Sequence, residues 1–184
     1  IEKIEADYRR GNATEYTYRG SLELLIEALG GRGVDASNDP KHITCGAPDF
    51  IVERGKVPLG YVETKDIGAD LDKIEKTDQM KRYLKALNNL ILTDYLEFRW
   101  YVDGEWRQTV TLGRWEGGKL KQQSGGPEAL AGLIGLFMAH RPEDITTPRE
   151  LAERMARLTH MIRDIIIEAF QTGWHAFKAD NYPP

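Results

Sequence analysis

Two acids and an amine stand at a spacing that can do chemistry. Pro48-Asp49 is followed, after thirteen intervening residues, by Glu63-Thr64-Lys65. In a strand, side chains two positions apart share a face, so Glu63 and Lys65 project together. A hairpin loop at Gly55-Lys56-Val57 sets Asp49 opposite Glu63, with Cβ atoms about 4.5–5.5 Å apart. Carboxylates that close repel unless a cation or a shared proton lies between them. Hard oxygen ligands suit Mg²⁺, which keeps several waters and takes one or two protein carboxylates. Such an ion polarises a phosphodiester and lowers the pKa of a water. The Lys65 ammonium would either hold that water or stabilise charge developing on the phosphate. The competing reading is a solvated, salt-bridged hairpin that keeps a sheet edge soluble. Position favours the first: Asp49 opens an apolar strand, and Glu63 and Lys65 close one.

Other residues gather around this pattern. Glu15 falls on the same helical arc as Tyr18, Leu22, Ile26 and Leu29, and an unpaired acid on a core-facing arc is costly. It is either a further site carboxylate or a first-turn acid favouring the helix dipole. Arg19, one turn later, would pair with Glu15 or reach a phosphate. Gln79 and Tyr83, four apart, share a helix face with Met80 and Leu87, and each has a polar end that a buried position must satisfy. Lys73, Lys76, Lys81, Arg82 and Lys85 make that helix locally basic. They are either a solvated face or a contact for a phosphate backbone. The four histidines show no HxH or HExxH spacing. Cys45 has no surrounding signature and reads as a buried or loop thiol. Gly30-Gly31-Arg32-Gly33 ends a helix without the Lys-Ser or Lys-Thr of a phosphate loop. Trp100, Tyr101, Trp106 and Trp115 read as packing aromatics rather than base-stacking platforms.

The elements that must position these groups follow from periodicity and punctuation. Thr14 caps a helix running to about Leu29, ended by Gly30-Gly31. Residues 49–54 and 60–65 form a hairpin, and charged, helix-favouring sequence fills 70–87. Leu90 to Thr93 is a short buried strand. Residues 97–102 and 105–112 flank Asp103-Gly104, a strong two-residue hairpin signal, and Gly117-Gly118 closes a small extra strand. From Pro127 two helices follow, about 127–140 and 148–171, the second with Thr147 as cap and Pro148 as first residue. Leu151, Met155, Leu158, Ile162, Ile165, Ile166 and Ala169 form an apolar stripe on it that needs a covering surface. The order predicts an α/β or α+β core over 1–122 and a helical extension, or coupler toward a further module, over 123–184.

Composition bounds the rest. The 184 residues carry 25 Lys+Arg against 29 Asp+Glu, a net charge of −4. Binding to nucleic acid through bulk charge alone is thereby disfavoured, leaving a local patch or help from another domain. One cysteine excludes an intrachain disulfide framework and fits a reducing cytoplasm. No apolar run approaches the roughly 20 residues a membrane span needs. The sequence starts at Ile1 rather than Met, which is what a piece of a longer protein would show.

Taken together, Glu15, Pro48-Asp49, Glu63-Thr64-Lys65 and Gln79-x-x-x-Tyr83 resemble PD-(D/E)XK nucleases of the Mrr/RecB-like branch. The stretches Thr14 to Arg19, Cys45 to Phe50, Asn89 to Tyr95 and Glu97 to Tyr101 are similar to the N-terminal nuclease domain of single-chain restriction–modification enzymes. These are the type ISP enzymes and related nuclease–methyltransferase fusions. The resemblance covers about residues 14–113. It implies a central mixed β-sheet flanked by helices and Mg²⁺-dependent cleavage of double-stranded DNA, with Mn²⁺ able to substitute. By matching position, Asp49, Glu63 and the Thr64 backbone carbonyl are metal ligands, with Glu15 as an accessory acid. Lys65 is the catalytic lysine, and Gln79 and Tyr83 support the site. The resemblance also implies methyltransferase and target-recognition modules in a longer chain, and dimerisation during double-strand cleavage. A stand-alone repair or structure-specific nuclease and a non-catalytic docking module are the alternatives.

Overall fold

The computed structural model describes residues 15–38, 48–116, 119–141 and 148–181. Thr14, His42, Cys45, Gly117-Gly118 and Thr147 lie outside the described residues, as does the side chain of Glu15. The chain forms α1 (Glu15–Gly30), β1 (Val34–Ser37), β2 (Phe50–Arg54) and β3 (Val57–Thr64). Next come α2 (Leu71–Ile74), α3 (Asp78–Ala86), β4 (Asn89–Thr93), β5 (Glu97–Val102) and β6 (Glu105–Thr111). A small ribbon, β7 (Gly113–Glu116) with β8 (Lys119–Gln122), precedes α4 (Gly126–Ala139) and α5 (Pro148–Asn181).

Six strands build one mixed sheet in the order β1-β2-β3-β4-β5-β6. Only β3 and β4 run parallel. Parallel neighbours cannot be joined by a tight turn, so α2 and α3 form the crossover between them. The sheet is covered on both faces, as expected where β4 is buried at every position. On one face α1 contributes Tyr18, Leu22 and Ile26, and α4 contributes Leu130, Leu133, Ile134 and Phe137. They pack on Phe50, Val52, Val62 and Ile91. On the other face Leu71, Met80, Tyr83 and Leu87 pack on Leu90, Leu92 and Tyr101. The fold is the α/β sandwich of a mixed sheet between helices that the sequence predicts.

Several boundaries differ for physical reasons. The charged run over 70–87 is two helices, because two side chains cap new helix starts within it. Asp70 accepts from the Lys73 amide at 3.2 Å, and Thr77 accepts from the Met80 amide at 3.3 Å. On α1 the inward face is narrower than predicted: Leu29 stays exposed. Helix α4 belongs to the same buried cluster as the sheet, although it follows residue 122. Gly60 explains the close approach of α4 to β3. A Cβ there would lie 2.5 Å from the Phe137 ring and 2.7 Å from Asn89 Nδ2, so only glycine lets helix and strand meet.

Helix α5 rests on α3 through Met161. Most of its predicted apolar stripe is not covered: Leu151, Met155, Leu158, Ile162 and Ile166 are exposed and Ile165 is half-buried, while the Ala169 side chain lies outside the described residues. The reason is rotational, since Arg154, Met161 and Asp164 turn toward the protein beside Ile165. No helix among the described residues is long and apolar enough to cross a membrane.

Candidate active site

Strand alternation brings the two acids together. Phe50 pairs with Val62 across β2 and β3, and one residue further along that register Asp49 meets Glu63. Phe50, Val52 and Val62 enter the core under α1 and α4, so Glu63 falls on the opposite phase, toward α3, while Asp49, just before β2, meets Thr64 and Arg19 of α1. They lie at the carboxyl end of β3, where Lys65 continues the ladder by donating its amide to the Thr93 carbonyl at 2.8 Å. Crevices at the carboxyl ends of parallel strands are the usual ligand sites of open α/β sheets.

Asp49 is held from three directions. Its Oδ2 accepts from the Thr64 amide at 2.7 Å and from Thr64 Oγ1 at 2.6 Å, and its Oδ1 meets Arg19 Nη2 at 2.5 Å. Glu63 Oε1 takes a hydrogen bond of 2.6 Å from Lys65 Nζ. Its other oxygen, Oε2, is buried and has no hydrogen-bond partner among the described residues. Glu63 is only 3% exposed. Burial first, and the charge of Asp49 second, push its pKa up from 4.5 to about 7 against the opposing pull of Lys65. An oxygen buried with lone pairs unspent costs free energy until a donor or a cation reaches it.

Helix α3 closes one wall. Tyr83 is buried, and Gln79 Nε2 donates to its hydroxyl at 3.0 Å. Burial, then the negative field of Glu63, raises the Tyr83 pKa, with Asp49 adding to the same push. The phenol therefore stays neutral and faces the two carboxylates. Thus Asp49, Glu63, Thr64, Lys65, Gln79 and Tyr83, scattered over 35 positions of sequence, converge.

Among solved structures, the chain is similar to one in a cryo-electron-microscopy structure of a DrdV–DNA complex. The TM-score is 0.52 and the identity 24%, over 72% of this chain and 12% of that one. The likeness shows the fold. This chain thus corresponds to a small part of that protein's length. No family model matches the sequence, and no curated protein does.

Two carboxylates on adjoining strands, one with an unpartnered oxygen, form a donor set that suits a hard cation completed by waters. Among the described residues no group of three or more His, Cys, Asp or Glu is placed to hold a metal; the Glu15 side chain, expected as an accessory acid, lies outside them. Thr64, whose carbonyl the resemblance implies as a ligand, also gives its amide and its hydroxyl to Asp49. The basic residues lie on the outer surface of the crossover: Lys73, Lys76, Lys81 and Lys85 are exposed, and Arg82 is half-buried. Lys73 pairs with Asp70 at 2.9 Å and Lys81 with Asp78 at 3.6 Å.

Two site features escape a linear reading. Arg19 pairs with Asp49 across 30 positions; the clue was an arginine directly after the buried Tyr18, where a charge needs a partner. Asn89 anchors β4 below the site. Its Nδ2 donates to the Leu59 and Phe137 carbonyls at 2.6 and 2.9 Å, and its Oδ1 accepts from Trp100 Nε1 at 2.7 Å. An asparagine opening an otherwise apolar strand was the available signal.

Proposed function

We propose that this chain is a metal-dependent nuclease domain that hydrolyses phosphodiester bonds of double-stranded DNA, the cleavage module of a restriction–modification enzyme. The observation that carries the reading is the buried pair Asp49 and Glu63, with Glu63 Oε2 left unpartnered beside Lys65. The DNA complex of the fold's solved neighbour supports the substrate, and the resemblance in sequence supports the module. The longer chain would carry methyltransferase and target-recognition modules, which supply sequence selection and much of the phosphate binding that an acidic domain lacks.

Asp49 Oδ1 and Glu63 Oε2 are the oxygens that would hold Mg²⁺, with Mn²⁺ as a substitute. Once bound there, the ion would supply polarisation of the phosphate and a water of lowered pKa. The remaining roles belong to the protein. Thr64 fixes the Asp49 carboxylate with two hydrogen bonds, so its orientation is set before substrate arrives. Lys65, partly exposed and held on Glu63 Oε1, places an ammonium where the phosphate gains charge. Tyr83, steadied by Gln79, walls off the protein side of Glu63 and keeps its environment dry. Two such sites, from two copies, would cut the two strands.

The test is cleavage of supercoiled plasmid with Mg²⁺ by the longest soluble form of the protein, beside Asp49→Ala and Lys65→Ala. Both variants should keep the wild-type circular dichroism and lose cleavage. Undiminished cleavage by folded Asp49→Ala would overturn the assignment.

A further inference from the structure

The charge balance of the site raises a question about Arg19. Among the described side chains the acids Asp49 and Glu63 are already matched by two cations, Arg19 at 2.5 Å and Lys65 at 2.6 Å. The pair with Arg19 is the more deeply enclosed, with side-chain exposures of 6% for Arg19 and 13% for Asp49. Arg19 also stacks over the Tyr16 ring, its Cζ 4.3 Å from the centroid, so the guanidinium is held by an aromatic face and a carboxylate together. Thr64 uses Asp49 Oδ2 twice. Oδ1 is thus the oxygen through which Asp49 would meet a further ligand, and Arg19 sits on it.

A divalent ion brought to Oδ1 would face a guanidinium across one hydrogen-bond length. At that separation like charges in a partly buried site repel by more than exposed pairs do. The ion and Arg19 therefore compete for the same oxygen, or the ion binds at a penalty.

We propose that Arg19 is an internal counter-cation that competes with the metal for Asp49. It keeps Asp49 neutralised in the metal-free protein and withdraws from Oδ1 when the ion binds. Arg19 is a positioning residue in this account, acting through Asp49. The inference rests on the metal-site reading above. Its consequence is a low intrinsic metal affinity, so that an incoming phosphate, which attracts both the freed guanidinium and the ion, strengthens metal binding by linkage.

The experiment is calorimetric titration of Mn²⁺ alone, without DNA, into wild type, Arg19→Gln, Arg19→Lys and Asp49→Asn, each checked for fold by circular dichroism. Arg19→Gln should bind Mn²⁺ about tenfold more tightly than wild type, the scale of one removed charge–charge repulsion. Arg19→Lys, which keeps the charge, should stay near wild type, whereas a merely structural role would not separate the two variants this way. Equal or weaker binding by folded Arg19→Gln overturns the proposal while leaving the metal site intact, provided Asp49→Asn abolishes binding. If neither wild type nor folded Arg19→Gln binds Mn²⁺, the metal site fails and the inference falls with it. Loss of its acid's partner could unfold Arg19→Gln, so a crystal of wild type soaked in Mn²⁺ provides the second arm. Arg19 displaced from Asp49 Oδ1 supports the proposal, and the pair unchanged beside bound Mn²⁺ overturns it.

Discussion

Two charged clusters flank the β3–β4–β5 segment of the sheet, and they are built to different standards. In one, Arg99 on β5 spends its guanidinium on three acids: Nε on Glu97 at 2.6 Å, and Nη1 on Glu75 at 2.6 Å and Asp72 at 2.7 Å. Tyr101 adds a short hydrogen bond to Glu75. The acids there remain partly open to water, and the cluster fastens the α2–α3 connection to the sheet. In the other, Asp49 and Glu63 are more deeply buried, each with its own cation, yet one Glu63 oxygen has no partner among the described residues. A cluster that spends its donors and acceptors and stays hydrated at its rim supports the fold. One that leaves a desolvated acceptor inside carries an electrostatic cost that a ligand can relieve.

The strongest way to break that contrast is to remove one acid or cation from each side. Glu63→Gln keeps the shape and deletes the charge, and should reduce DNA cleavage about a thousandfold or more, a loss of several kcal/mol in transition-state stabilisation. Arg99→Met should leave cleavage by folded protein within about twofold, measured on the same plasmid assay, because the guanidinium lies among structural partners. If Arg99→Met were as inactive as Glu63→Gln at equal fold content, the division between the clusters would fail.

The next largest effect is on stability, and its sign is unusual for an acid. Glu63 titrates near 4.5 in an unstructured chain and at about 7 in the folded one. Between those values the native state holds a proton that the unfolded state has released. The contribution of this group is therefore fully present below pH 4.5 and is lost as pH rises through about 7, by about 3 kcal/mol. Asp49, Lys65 and Tyr83 are the ionisable groups facing it. In metal-free protein, urea midpoints of wild type relative to Glu63→Gln should fall across that interval, with Glu63→Gln the more stable at pH 8. Parallel curves for the two proteins would show that Glu63 is not strained.

The comparison also explains what was legible in the sequence. Asp49, Glu63 and Lys65 could be placed together because strand alternation has a fixed period of two and a short turn sets the register. Gln79 and Tyr83 were legible because one helical turn joins them. The Arg99 cluster was not, since its members span α2, the segment after it and β5, and no local period links Asp72 or Glu75 to Arg99. The break of the 70–87 helix was hidden for a similar reason: Thr77 stops one helix and starts another inside an unbroken run of helix formers. The Arg19–Asp49 pair depends on how α1 crosses the sheet. Which face of α5 meets the core depends on a long-range contact through Met161.

On the side of the fastening cluster, the cost of losing Arg99 should be measurable but moderate. Three acids would be left facing one another, yet Asp72 is exposed and the other two are partly hydrated. Thermal or urea unfolding of Arg99→Met should show a loss of about 1–2 kcal/mol at pH 7. The deficit should shrink at high salt, which screens the repulsion among Asp72, Glu75 and Glu97. A loss that stays constant from low to high salt would mean that packing of the arginine stem, and not its charge, fastens α2 to the sheet.

The smallest effect belongs to the link between α3 and the active cluster. Gln79 touches the Tyr83 hydroxyl at 3.0 Å and is itself half-buried, so Gln79→Ala deletes one hydrogen bond and leaves the phenol to water or to Glu63. A neutral bond of this kind is worth about 1 kcal/mol, so cleavage should fall by about fivefold to tenfold at saturating Mg²⁺ with the melting temperature nearly unchanged. Tyr83→Phe removes the other end of the same bond, and the double variant should lose no more activity than the worse single one, because the two side chains act as a pair. Additive losses would mean instead that Gln79 and Tyr83 meet the substrate separately. The wall of the site would then be two independent contacts rather than one braced surface.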